Sequence, residues 1–79
     1  MKKTELLKIT MGKIEWWERE QRFWELMKER GKFVNPYTGE VGTSFDAEQI
    51  ELTNTSIEKA IKRLEYYNGI REALECLLG

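Results

Sequence analysis

Ile14-Glu15-Trp16-Trp17-Glu18-Arg19-Glu20-Gln21-Arg22-Phe23-Trp24-Glu25-Leu26-Met27 holds all three tryptophans of the chain. On a helical wheel with Ile14 at zero and about 100° per residue, Trp17 and Trp24 fall near ~300° and ~280°, with Leu7 near ~20°. Ile9, Trp16, Phe23 and Met27 gather between ~180° and ~220°, and Glu15, Glu18, Arg19, Arg22 and Glu29 fill the arc from ~40° to ~160°. The stretch therefore reads as a helix with two apolar stripes and a narrow polar back. A helix laid on one neighbour needs an apolar arc of only about 100°. One stripe is expected to meet a second helix; the other needs a different cover, either the segment that follows, a second copy of the chain, or another protein.

Working outward, Thr4 is a fitting N-cap for a helix that begins Glu5-Leu6-Leu7, the acid lying at the positive end of the dipole. Gly12 costs about 1 kcal/mol in a helix interior relative to alanine, but the apolar pattern continues across it. Glu15 to Arg19 and Glu18 to Arg22 set an acid four residues before a base, each pair adding a few tenths of a kcal/mol. Lys28 and Arg30 in the last turn and Gly31 beyond it are stop signals. The first helix is thus predicted over about 5–30, about 40 Å long.

The segment Lys32 to Thr43 contains the only proline. Asn35-Pro36 opens a tight turn and Gly39 takes the positive φ that closes it, which predicts a short β-hairpin or an ordered loop over 32–45. Two strands alone are marginal in water, so Phe33, Val34 and Val41 are expected to rest on the helices, with Phe33 and Val41 as lids over the Ile9, Trp16, Phe23 and Met27 stripe.

Asp46 and Gln49 have capping-box spacing, as do Thr55 and Glu58. The apolar seam decides between them. With Ile57 at zero, Ile50 lies near ~20°, Leu64 near ~340°, Tyr67 near ~280° and Leu74 near ~260°. This backward drift belongs to a seven-residue repeat laid on a helix of 3.6 residues per turn, and Ile50 shares the seam, so one helix is predicted over about 47–78. Thr53-Asn54-Thr55-Ser56 and Asn68-Gly69 are its weak points. The expected architecture is all-α with minor β at the connection. It is an antiparallel two-helix hairpin whose seam is Leu7, Ile14, Trp17 and Trp24 against Ile57, Leu64, Tyr67 and Leu74, completed as a bundle by dimerisation or by a partner.

At 79 residues the chain forms one domain, 1–79, of a size whose own core supplies only about 3 to 5 kcal/mol without a staple or a partner. Histidine is absent and Cys76 is the lone cysteine, so neither an internal disulfide nor a Cys/His zinc set is available. A single thiol fits a reducing compartment. Thr4, Glu5, Lys8, Thr10 and Lys13 interrupt any signal-peptide core after Met1-Lys2-Lys3, and no run approaches a membrane span. The expectation is a cytoplasmic protein without a membrane partner.

The net charge of -1 conceals an uneven distribution. Residues 1–32 hold nine Lys/Arg and six Asp/Glu, residues 33–58 hold none and five, and residues 59–79 hold four and three. No dominant basic stripe for a phosphate backbone emerges. Lys2, Lys3, Lys8, Lys13, Arg19 and Arg22 do lie among aromatic residues, a pattern used on single strands, but Arg19 and Arg22 have acidic neighbours and no short recognition helix is present. The acidic middle, with Glu40, Asp46, Glu48 and Glu51, offers a surface for a basic groove.

Catalysis needs a group titrating near neutrality or a nucleophile beside a base. Cys76 lies away from the seam with Glu72 and Glu75 nearby, the opposite of the electropositive setting of a reactive thiol. Glu15, Glu18, Glu25 and Glu29 are interleaved with Arg19, Arg22 and Lys28 and read as a solvated face rather than a metal site. Gly39 and Gly42 lack the Lys-Ser/Thr ending of a phosphate loop. No cofactor, metal or small-molecule substrate is expected. What remains is a non-catalytic protein-binding module, an adaptor or inhibitor that masks a site on a larger macromolecule, through Ile9, Trp16, Phe23 and Met27 and the four acids. Size and composition alone are shared with phage-type and anti-defence regulators. A structural homodimer and a nucleic-acid-binding regulator are the alternatives.

Overall fold

The computed structural model describes residues 2–32, 34–35, 37–42 and 46–79. Helix α1 (Lys3–Arg30) and helix α2 (Ala47–Leu78) pack along each other. The molecule measures 50 × 20 × 17 Å, and 32 residues of helix are already about 48 Å long. The long axis is thus one helix length, so the chain folds back and the helices run antiparallel.

The ends of the helices follow from local chemistry. Gly31 adopts φ 66°, ψ 26° and its N–H donates to the Met27 carbonyl at 2.9 Å, the left-handed cap that glycine adopts without a steric penalty. At the start of α2, the Asp46 carboxylate accepts from Gln49 N–H at 2.9 Å and the Gln49 side chain accepts from Asp46 N–H at 3.0 Å, closing the box expected from that spacing. Thr55 lies inside the helix. The expected cap at Thr4 does not form: α1 starts at Lys3 after Lys2, with no side-chain cap. Leu6 N–H reaches the Lys2 carbonyl at 3.0 Å, so the helix begins two residues earlier than expected, at an exposed end where solvent can satisfy amides left without a cap.

Between the helices, Asn35 organises the chain. Its side-chain oxygen accepts from Tyr37 N–H at 2.8 Å and from Thr38 N–H at 3.2 Å, while its backbone exchanges hydrogen bonds with Gly39 N–H and the Glu40 carbonyl. Gly39 has φ 75°. Val34 and Val41 form an isolated antiparallel bridge, and no strand extends from it among the described residues. Phe33, expected as a lid, lies outside the described residues. Val41 is mostly exposed; Val34 does more of the covering, its N–H donating to the Met27 sulfur at 3.0 Å.

The core consists of Ile14, Trp24 and Met27 from α1 and Ala60 and Leu74 from α2, with Thr10 and Thr53. Both threonines hydrogen-bond their own helix, Thr10 Oγ1 to the Leu6 carbonyl and Thr53 Oγ1 to the Gln49 carbonyl, each at 2.7 Å. A buried hydroxyl without such an acceptor would carry the desolvation cost of an unmade bond. Of the two stripes on α1, the one bearing Leu7, Ile14, Trp17 and Trp24 faces inward, with Ile14 and Trp24 buried and Leu7 and Trp17 half-buried. On α2 the expected seam is displaced. Leu74 is buried, but Ile57, Leu64 and Tyr67 are half-buried, whereas Thr53 and Ala60 have no exposed surface. The buried positions of α2 are therefore 53, 60 and 74, with Tyr67 half-buried on the same seven-residue spacing. Interaxial distance depends on the side chains at the contact, and here the two residues with no exposed surface are small while Ile57 and Leu64 keep part of theirs.

Candidate functional site

Closing the hairpin splits the second stripe of α1. Met27, 3% exposed, and half-buried Phe23 lie with Leu26, Val34 and Val41 in a depression under the connection. Ile9 and Trp16, each 49% exposed, lie outside it. Together with Gly12, Lys13, Trp17 and Tyr67 they line a groove between the two helices. Of the four apolar residues expected to meet a partner, the structure keeps Ile9 and Trp16 on the surface and draws Met27 into the fold, because the chain leaving Gly31 turns back across that end of the stripe.

The paired tryptophans show how one helical step separates two environments. Their rings meet edge to face, centroids 4.7 Å apart at 86°, a favourable arrangement of aromatic quadrupoles. Trp17 turns to α2, where the Lys59 ammonium and the Arg63 guanidinium lie 5.9 and 6.0 Å from its ring, within the range of cation–π attraction. Trp16 turns to the groove. Across from it, Tyr66 and Tyr67 repeat the edge-to-face pairing at 5.2 Å, Tyr67 in the same groove as Trp16 and Tyr66 in an adjoining one with Thr55, Glu58, Lys59, Lys62 and Arg63. Trp24, the third tryptophan, is structural: its Nε1–H donates to Glu20 Oε2 at 3.2 Å.

The acidic candidates Glu40, Asp46, Glu48 and Glu51 are exposed and are not gathered with Ile9 and Trp16. They belong to the connection and the start of α2, and at 1.5 Å per residue Trp16 lies about 20 Å along α1 from the end that meets the connection. The Asp46 carboxylate is engaged in the cap, and Glu48 in the first turn complements the helix dipole.

On the polar back, Glu15, Glu18, Arg19 and Arg22 share one shallow depression, yet the expected acid–base pairs do not close. Arg19 Nε points to the Glu15 backbone carbonyl at 3.4 Å, and the ion pair found among the described residues is Arg71 with Glu75, 3.9 Å apart. Exposed pairs gain too little to hold two long side chains in one geometry. Cys76 is exposed, and no three His, Cys, Asp or Glu side chains converge as a metal site among the described residues. Among the described residues, no helix is long and apolar enough to cross a membrane.

Sequence reasoning missed Lys59, Lys62, Arg63 and Tyr66 as members of a site. A signal was present: Lys59, Lys62, Arg63 and Tyr66 recur at intervals of three and four, the spacing of one helix face. Fold and site together define a class, a two-helix hairpin carrying a cationic, aromatic-lined flank. No family model, curated protein or solved structure matches the chain.

Proposed function

We propose that the protein is a non-catalytic binding module, an adaptor or inhibitor that covers a site on a larger protein, in the manner of phage-type and other accessory regulators. The observation that carries this reading is the half-exposed pair Ile9 and Trp16 in a groove that Gly12 and Tyr67 also line. Tryptophan anchors set among apolar neighbours within a polar rim are the usual composition of binding hot spots, and a fold that needed Trp16 only for its own stability would bury it as it buries Trp24. The partner completes the helical layer that one hairpin leaves open. Setting is consistent with a reducing cytoplasm, where the single exposed thiol stays free.

The test is affinity capture from the native host with the wild-type chain and with Trp16→Ala and Ile9→Ala, each checked for helicity by circular dichroism. The expected result is a partner retained by the wild type and lost by both variants while helicity is unchanged. Equal capture by all three would remove this groove from the interface. Conversion of a dimer to a monomer by Trp16→Ala, with no other protein captured, would replace the reading with self-assembly.

A further inference from the structure

The two adjoining grooves share a composition that the protein-binding reading above does not by itself require. Among their twelve lining residues are four aromatics, four cations (Lys13, Lys59, Lys62 and Arg63) and one acid, Glu58. The chain as a whole has more acids than bases, so the cations are concentrated here. None of these four closes an ion pair among the described residues, whereas α2 carries most of its acids elsewhere. The charged groups of Lys59 and Arg63 lie 5.9 and 6.0 Å from the Trp17 ring centroid, within cation–π range, so this flank pairs its cations with an aromatic ring rather than with acids.

We infer that this face docks an acidic, amphipathic segment of the partner protein, apolar side chains entering beside Trp16 and Tyr66 and carboxylates meeting Lys13, Lys59 and Lys62. The inference rests on the protein-binding reading and specifies the partner's chemistry. Charge complementarity selects this occupant. A second copy meeting this face about a two-fold axis would set the same cations against one another, and like charges across an interface oppose association. A single-stranded nucleic acid would need open ring faces in series; the Trp17 ring already has its cations, and the net negative charge opposes a polyanion at long range.

Three probes separate the occupants: a Glu/Leu amphipathic peptide, its Lys/Leu counterpart, and an oligothymidylate of the same charge as the first. Binding to the full chain is followed by tryptophan fluorescence at two salt concentrations. The Glu/Leu peptide is expected to bind tightest and to weaken with salt. Lys59→Gln with Lys62→Gln should lower its affinity about two- to thirtyfold, at 0.2 to 1 kcal/mol for each of two exposed pairs, with helicity unchanged. Equal or tighter binding of the Lys/Leu peptide or of the oligothymidylate would overturn the inference, as would an unchanged affinity in the double variant. If the Lys/Leu peptide binds in a Trp16-dependent way, the charge inference falls and the protein-binding reading stands; if Trp16→Ala affects neither peptide binding nor capture from the host, both fall.

Discussion

Trp16 and Trp17 share a peptide bond and an edge-to-face contact, yet differ in what surrounds them, and solution spectroscopy should resolve them. Trp16 is half-exposed, Trp17 is packed against α2, and Trp24 is 8% exposed. Collisional quenching by acrylamide should therefore be strongest at Trp16, weaker at half-buried Trp17 and weakest at Trp24, and Trp16→Phe should remove the most quenchable component; quenching left undiminished by this change would place Trp16 inside the fold. Met27 is the contrasting case. At 3% exposure, with the Val34 amide on its sulfur, it joins the connection to α1. Met27→Ala should destabilise the chain by about 2 to 5 kcal/mol, the usual cost of emptying such a site, read from chemical denaturation. Trp16→Ala should cost far less, and a comparable loss would mean that Trp16 is a core residue.

The glycines test the helices as elements. A Cβ added at Gly12 meets nothing within 4 Å, and its backbone is helical. Gly12→Ala should thus stabilise α1 by about 0.4 to 1 kcal/mol through the unfolded chain. Gly31 is equally open but sits at φ +66°, so Gly31→Ala should destabilise by about 1 kcal/mol. Opposite signs in the two thermal midpoints are the expected outcome, and equal signs would contradict either the continuity of α1 or the cap that ends it. At the other helix, Asp46→Ala removes the acceptor for Gln49 N–H and should cost about 0.5 to 2 kcal/mol. Both helices were legible in the sequence because apolar spacing runs along each and one end of each carries a clear signal, Gly31 after α1 and the Asp46–Gln49 box before α2, whereas the Thr4 signal misled because an exposed helix start can do without a side-chain cap. The seam of α2 was less so. Wheel positions rank residues by hydrophobicity, and that ranking cannot reveal that Thr53 and Ala60 are buried more completely than Ile57 and Leu64. The candidate site was half legible for a related reason: Ile9 and Trp16 stand out on one helix, but the pairing of Lys59 and Arg63 with Trp17 depends on the register between two helices, which neither helix encodes alone.

For the whole molecule, shape sets how much surface is left exposed. The radius of gyration is 16.0 Å, against about 12 Å for a compact chain of this length. Accessible surface is 6119 Å², whereas a compact monomer of 9.4 kDa exposes about 5,000 Å². The difference, about 1,100 Å², is comparable to the roughly 800 Å² that one protein contributes to a standard interface, so a lone hairpin leaves about one interface's worth of surface in water. Two outcomes separate the ways of covering it. Since the cationic flank opposes a two-fold contact with itself, the thermal midpoint of the isolated chain should be independent of its own concentration over a hundredfold range. A foreign partner should raise it: at one hundred times its Kd, binding adds about 2.7 kcal/mol, which for a domain of this size is about 10 to 20 °C. A midpoint that climbs with the concentration of the chain alone would show that another hairpin, rather than an acidic segment, supplies the missing layer.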